Sequence, residues 1–244
     1  MSPRYCNTFR HDFPLGQNAD IEDSISNVRA SRGGHTFHER WAARRALQLI
    51  FPKDRLFAIA VEGISSTETA NPGAEAEDVA DLVLYYGAGN DFASCDRLET
   101  VQFKYKERGS PVTASYLKKT IEKFCDTLVG YESEFSSNEV DAKLSFSFVT
   151  TADFSEGLWD AIEVLKVGRI SADGTDAEPI RYLTSLCKAH KVGDPRRLFS
   201  KIEFRAAEKS LPGQSNALRR TLTDWSGGAD GPARSVCLAC RNSS

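Results

Sequence analysis

The sequence predicts an α/β fold in which helices flank a mixed central sheet and a mostly helical extension follows. Two observations support this. Strand-like apolar runs alternate with segments of helical periodicity in the order helix, three strands, helix, strand, helix. The 244 residues are 41% hydrophobic and 27% charged, a balance typical of a chain with a packed core.

The first strong helical pattern runs from His35 to Ile50 and is stopped by Phe51-Pro52. We expect Gly33-Gly34 to break the chain before it, and residues 1–32 to form a polar arm with at most a short helix near residues 21–28. At about 100° per residue, one face of the helix is apolar. That face comprises Ala42, Ala43, Ala46, Leu49 and Ile50.

Three strands are predicted next. Residues 56–61 form an apolar run that suits a strand buried on both faces, and residues 82–86 form a second such strand. Residues 100–106 alternate apolar and polar side chains with a period of two, which indicates a third strand. We interpret residues 65–77 as a loop and residues 87–98 as a long connection, because turn-forming residues dominate both segments.

The second half is predicted to be mostly helical. An amphipathic helix over residues 113–128 has its core stripe at Leu117, Ile121, Phe124 and Leu128. A fourth strand is expected over residues 144–149 and a short extended piece over residues 202–204. Further helices are predicted over residues 154–167, 180–190 and 196–201.

The predicted domain organisation has four parts. They are an N-terminal arm (1–32), a core (33–150), a helical extension of the same domain (151–205), and a polar C-terminal segment or linker to a further module (206–244).

Charge distribution is uneven along the chain. A net charge of −3 argues against nucleic-acid binding over the whole surface. Residues 62–99, however, carry nine acidic residues and one basic residue, whereas residues 101–125 carry six basic and two acidic residues. Such neighbouring segments suit binding of cations and then phosphates, but two solvated faces that pair with each other explain the charges equally simply.

A cytoplasmic location without membrane insertion is expected. No apolar run approaches the roughly 18 residues that a membrane span needs, and the first residues contain no apolar signal core. Four of the six cysteines are scattered singly, which favours reduced thiols over a disulfide framework.

Asp81 and the Gln102-Phe-Lys104 segment are the residues with the strongest chemical implication. Phosphodiester cleavage at neutral pH needs a hard cation with oxygen ligands, which Asp81 and Gln102 can supply. Lys104 shares a strand face with Gln102 and can offset charge on the phosphorus, and Lys106 continues this polar row toward a phosphate. The alternative is ordinary: aspartate often begins a strand, and any solvent-facing strand can contain Gln-x-Lys.

Three further acidic residues belong to the hypothesis. Glu39 falls on the apolar face of the first helix, where a carboxylate is costly unless it is paired or binds a metal. Its alternative is an edge position paired with an arginine such as Arg32. Glu62 ends the first strand and is a candidate carboxylate ligand, and Asp78 competes with Asp81 for the aspartate role.

These segments resemble the PD-(D/E)xK nuclease superfamily over roughly residues 33–205. The likeness is carried by Gly33-Gly34, Glu39 with Trp41, Val61-Glu62-Gly63, Asp78-Val-Ala-Asp81 and Val101-Gln-Phe-Lys-Tyr105. More narrowly, they are similar to effector endonucleases of bacterial antiphage systems, both those fused to SAVED sensors and those of NLR-like STAND ATPases. The chain departs from the family pattern in two places: no proline precedes Asp81, and Gln102 stands where Asp or Glu is usual.

The resemblance implies a restriction-endonuclease-like fold and a Mg²⁺-dependent endonuclease, with Mn²⁺ able to substitute, that cuts double-stranded DNA with low sequence specificity. It implies metal ligation by Asp81, Glu62 and Gln102, catalysis by Lys104 and a supporting role for Glu39. It also implies a homo-oligomer controlled by a downstream sensor or ATPase module. Candidate contacts to the DNA backbone are Arg40, Arg44, Lys106, Lys118 and Lys119. The alternative is an inactive module of the same fold that binds nucleic acid or a partner.

Overall fold

Five strands form one mixed sheet whose spatial order, β1-β2-β3-β4-β5, is the order of the chain. The computed structural model describes residues 17–50, 55–68, 80–106, 110–167 and 177–226. β1 and β3 each pair with β2 antiparallel, whereas β4 lies parallel to β3 and β5 parallel to β4. The strands are β1 (Leu56–Val61), β2 (Leu82–Gly87), β3 (Cys95–Lys104), β4 (Leu144–Thr150) and β5 (Ile202–Arg205).

Helices cover both faces of this sheet. They are α1 (Gln17–Ile50), α2 (Lys118–Glu134), α3 (Ser137–Lys143), α4 (Glu156–Val167), α5 (Ala177–Ala189), α6 (Pro195–Phe199) and α7 (Leu211–Ser226). The predicted α/β class with a mixed sheet and helical flanks is therefore confirmed. Within the described residues, no helix combines the length and the apolar character that crossing a bilayer requires.

The predicted break at Gly33-Gly34 is wrong, because α1 continues through both glycines from Gln17 to Ile50. Gly33 has a packing role instead. A Cβ atom at Gly33 would lie 2.9 Å from Cε1 of Tyr105, so only glycine lets the helix approach that ring without displacing it. Residues 17–32, expected to form an arm with little helix, belong to the same helix.

The buried face of α1 also differs from the prediction. Phe37 and Trp41 are buried, whereas Leu49 and Ile50 at the helix end are exposed. Aromatic side chains bury more apolar area than alanines do, and they determine which face packs on the sheet. Glu39 lies about 200° around the helix from Trp41 and is exposed, so the expectation that it sits on an apolar face is wrong.

Two hydrophobic clusters occupy the two faces of the sheet. On the α1 side, Phe37 and Trp41 pack with Leu82, Leu84 and Phe103. On the other side, the opposite side chains of β2, β3 and β4 pack against helices α2 to α6. The predicted core stripe of the amphipathic helix is confirmed, since all four of its residues are buried.

α7 falls in the segment that composition assigned to a polar tail. Polar contacts with α1 hold it: Arg40 donates a 2.9 Å hydrogen bond to the Leu211 carbonyl oxygen, and Arg44 donates one to Gln214. Gln214 is fully buried although α7 is otherwise largely solvent-facing. A hydrophobicity pattern does not detect a helix that is attached in this way.

Candidate functional site at the strand ends

The end of β1, the start of β2 and the end of β3 meet at one edge of the sheet. Val61 pairs with Leu82, and Leu82 pairs with Val101. Just beyond these pairs, the Glu62 amide donates to the Asp81 carbonyl oxygen at 3.0 Å, and the Asp81 amide donates to the Val101 carbonyl oxygen at 3.2 Å. Backbone pairing therefore brings together residues that lie up to forty positions apart in the sequence.

Asp81 is half-buried, and its carboxylate is held by the backbone. Oδ2 accepts a 2.6 Å hydrogen bond from the Phe103 amide, which is short and charge-assisted. This bond gives the backbone amide of Phe103, near the end of β3, a hydrogen-bond acceptor. Satisfying that amide is by itself a structural reason for an aspartate at position 81. The bond also fixes the orientation of the carboxylate and leaves Oδ1 available for another partner.

His38 is a member of the site that the sequence analysis missed. Its ring packs on Phe103 with centroids 4.7 Å apart. Burial lowers the pKa of His38 below its usual value, the Asp81 and Glu62 carboxylates counteract this, and the positive charges of His35 and Lys104 add to it. The spacing of His35 and His38, which puts both on one side of a helix, was the available signal.

These groups form what we call the strand-end cluster: His35, His38, Glu62, Asp81 and Lys104. Three strands and one helix contribute to it. Carboxylates, imidazoles and an ammonium group therefore act on one another at a single edge of the sheet.

Glu62 occupies an unusual backbone conformation. Its φ is +54°, a left-handed value that an L-residue with a long side chain rarely adopts, and Gly63 follows at +138°. The side chain is 72% exposed and lies 3.9 Å from Nδ1 of His35. Strained residues of this kind concentrate at functional sites, where the surrounding structure holds them in place.

Gln102 and Lys104 differ in exposure although they are two residues apart on one strand. Gln102 is 2% exposed, whereas Lys104 at the end of β3 is half-buried. Val101 and Phe103 point into the α1-side core, which confirms the predicted alternation of this strand. Gln102 lies one residue beyond the Leu82–Val101 pair, close to Asp81 but inside the protein.

The predicted DNA-contacting residues have different environments. Arg40 and Arg44 bind α7, as described above, and Lys106 Nζ donates to the carbonyl oxygen of Ser110 at 3.1 Å. Lys118 and Lys119 are exposed in the first turn of α2. Because α2 follows the carboxyl end of β3 and returns the chain to the parallel strand β4, its first turn lies at the same edge as Lys104.

Glu39 and Asp78 are the two remaining candidates. No ion pair or hydrogen bond of the Glu39 side chain occurs among the described residues, and Arg32, its suggested partner, is likewise exposed. Asp78 lies outside the residues that the structure describes, so the choice between Asp78 and Asp81 stays a prediction. The geometry above concerns Asp81 alone.

The strand-end cluster suits a hard cation that takes only one or two carboxylate ligands from the protein. In the described part of the chain, no three His, Cys, Asp or Glu residues form a group able to enclose a metal ion. Mg²⁺, however, usually takes one or two protein carboxylates and completes its shell with water and substrate oxygens. Asp81 and Glu62 fit that requirement, whereas a preformed cage of three or more ligands does not exist here.

Comparison with known proteins does not identify a relative. No protein-family model matches the chain, and no curated protein is significantly similar to it.

Proposed function

We propose that this chain is a Mg²⁺-dependent endonuclease that cleaves double-stranded DNA with little sequence preference. One observation carries the proposal: a backbone-held carboxylate, a second carboxylate and a lysine from three consecutive strands act at one sheet edge, beside a histidine of lowered pKa. Hydrolysis of a phosphodiester requires these classes of group.

In the proposed mechanism, Asp81 and Glu62 would hold the cation, which would supply Lewis acidity toward the phosphate and the attacking water. The hydrogen bond from Phe103 keeps Asp81 in a fixed orientation, so little reorganisation accompanies the reaction. Lys104 stabilises negative charge that develops on the phosphate oxygens. His38, neutral at pH 7 because burial lowers its pKa, is able to accept a proton from the attacking water.

Substrate binding is assigned to the exposed start of α2. Lys118 and Lys119 are positioned to contact backbone phosphates, and such contacts orient a duplex without reading its sequence. The resemblance to antiphage effectors supports two further parts of the proposal: a role in antiphage defence and activation by oligomerisation. The described cysteines Cys95, Cys125 and Cys187 are free and buried, which supports a cytoplasmic location.

Supercoiled plasmid incubated with the purified protein tests this function. We expect conversion to a smear of linear fragments with Mg²⁺ or Mn²⁺ and none with EDTA. Asp81→Asn should abolish cleavage, and Lys104→Met should reduce it by about 10²–10³-fold. Glu163→Gln and Lys188→Met are matched controls, because they make the same charge changes at exposed positions of α4 and α5. Discrete fragments instead of a smear would indicate a sequence-specific enzyme, and activity retained in both site variants would refute the assignment.

A second candidate function is a non-catalytic module that binds nucleic acid or a partner. The Asp81–Phe103 hydrogen bond favours it, since it gives the aspartate a structural task without any metal. Calorimetry with Mn²⁺ distinguishes the two functions: heat that disappears in Asp81→Asn supports the enzyme, and DNA binding with no Mn²⁺ heat supports the module.

A further inference from the structure

A second charged region lies on the α1 side of the sheet, away from the strand-end cluster. Here α1, the end of β5 and α7 surround a cavity of about 420 Å³, a volume within the range of small-molecule sites. We call it the arginine cavity. Its polar and aromatic walls are formed by Trp41, Arg44, Arg45, Gln48, Arg205 and Thr221.

Arg45 brings a positive charge to this cavity, and this charge acts on the Glu203 carboxylate without forming an ion pair with it. Its guanidinium lies 5.0 Å from the centroid of the Trp41 ring and donates a 3.1 Å hydrogen bond to the amide oxygen of Gln48. Among the described residues, no carboxylate lies within ion-pair distance of Arg45. A half-buried cation on an aromatic face is held in place but only partly compensated.

Arg205 approaches the same tryptophan, with its guanidinium 5.8 Å from the ring centroid. Its Nη2 atom is 2.6 Å from Glu203 and 3.5 Å from Glu99, which neutralise one side of the group. Its Nε atom is buried and has no hydrogen-bond partner in the described part of the chain. A buried donor without an acceptor is costly, and it leaves the Arg205 guanidinium, whose side chain is 23% exposed, only partly compensated.

Arg44 is the third arginine of the cavity. Its Nη1 atom lies 3.9 Å from Oε1 of Glu208, a long ion-pair contact. The cavity walls therefore carry three guanidinium groups and the single carboxylate of Glu208. Guanidinium groups bind phosphate oxygens in a planar, bidentate manner, and they keep their charge at any physiological pH.

We propose that the arginine cavity binds a phosphate group, carried either by a free nucleotide or by a nucleic-acid backbone. Arg45 is the principal donor, and the Arg205 guanidinium adds its positive charge to the cavity wall. Seven residues separate His38 from Arg45, roughly 10 Å along α1, so this site is distinct from the strand-end cluster. The inference does not rest on the proposed nuclease function, because it requires binding and no cleavage.

Calorimetry in EDTA, with three probes, tests the proposal: inorganic phosphate, adenosine diphosphate and a 12-base-pair duplex. We expect wild-type protein to bind at least one probe, and Arg45→Gln to weaken that binding by about tenfold or more, as for a lost hydrogen bond to a charged group. Arg220→Gln, which removes an exposed arginine of α7, is the matched control. Binding of the diphosphate but not the duplex identifies a nucleotide site, and the reverse identifies a backbone site.

Two results would overturn the proposal: no heat with any probe at millimolar concentration, or equal binding by Arg45→Gln and Arg220→Gln. Arg45→Lys keeps the charge but not the planar fork, and an intermediate loss is expected. This second variant remains informative if Arg45→Gln does not fold. Asp81→Asn should bind like the wild type; loss of binding in that variant would place the phosphate at the strand-end cluster instead.

Discussion

The strand-end cluster and the arginine cavity use charge in different ways. The first combines carboxylates, an ammonium group and imidazoles, and their opposing fields act on His38, whose pKa lies below its usual value because the ring is buried. The second is built mainly from arginines, which do not titrate in proteins, fixed on the buried ring of Trp41. In the first region the structure adjusts a protonation state, whereas in the second it adjusts only the position of a permanent charge.

Trp41 lines the arginine cavity and packs on Phe103, the ring that also contacts His38 of the strand-end cluster, so its loss should have the largest effect. It is 3% exposed, packs on Phe103 at 5.1 Å between centroids, and supports two arginines. We expect Trp41→Ala to lower the free energy of unfolding by about 3–5 kcal/mol, as for other large core truncations. Chemical denaturation measures this. Trp225→Ala, at a 56% exposed tryptophan, is the control and should change stability by less than about 0.5 kcal/mol.

Lys104→Met and Arg45→Gln should have different effects on DNA cleavage, because each variant changes only one of the two regions. If the proposed function is correct, kcat for plasmid cleavage falls about 10²–10³-fold, the usual effect of removing a group that stabilises transition-state charge. Arg45→Gln should leave the single-turnover rate at saturating DNA unchanged. Equal losses in both variants would show that the regions act as one site.

Glu62→Asn tests the strained residue of the strand-end cluster. Asparagine tolerates a left-handed φ better than glutamate does, so we expect a gain in stability of up to about 1 kcal/mol. Cleavage should fall at the same time because a cation ligand is lost. A thermal melt and the plasmid assay measure the two effects; a variant that is less stable than the wild type would contradict the strain at Glu62.

The smallest predicted effects are changes in the pKa of His38. They are measured by NMR titration of its imidazole protons. Asp81→Asn removes a carboxylate that raises this pKa and should lower it further, whereas Lys104→Met removes a repelling charge and should raise it. Shifts in the same direction would show that these side chains do not act on His38.

The same pKa predicts a pH dependence of stability. Since the folded pKa of His38 lies below the unfolded value of 6.5, its contribution to stability is present above pH 6.5 and is lost as the pH falls through the folded pKa. His38→Gln should flatten the stability profile in this window. Denaturation midpoints from pH 4.5 to 7.5 measure the slope, and an unchanged profile would refute the assignment.

The sequence predicted the strands better than the first and last helices, for physical reasons. Alternation along β3 and the apolar run of β2 report directly on burial. The prediction that β1 is buried on both faces is wrong, because β1 lies at the edge of the sheet and its Phe57 and Val61 are 50% and 62% exposed. The bounds of the three strands agree with the structure within a few residues. The start of β3 at Cys95 instead of Thr100 follows from pairing with β2, a neighbour that a local pattern does not include. α1 is held by hydrogen bonds to α7 and by its packing on Tyr105, contacts that join distant parts of the chain.

The site was predictable to the extent that strand neighbours are predictable. Asp81 and Lys104 came from adjacent strands, and the structure places both near His38. Glu39 was assigned to the site because the apolar helix face was drawn through alanines. Phe37 and Trp41 determine the face that packs on the sheet, and in this orientation His38 contacts Phe103. Gln102 was predicted to share a polar strand face with Lys104, but it is 2% exposed, and alternation alone does not distinguish a solvent-facing surface from a second buried layer.

The agreement between strand order and chain order has a consequence for synthesis. Each strand pairs with the one made just before it, so the sheet can grow by one strand at a time as the chain leaves the ribosome. The antiparallel β1–β3 portion closes shorter connections than the rest of the sheet and should form first, whereas β4 and β5 must each await a helical crossover. The groups of the strand-end cluster all lie before residue 105, so they can come together before the second half of the protein has been translated.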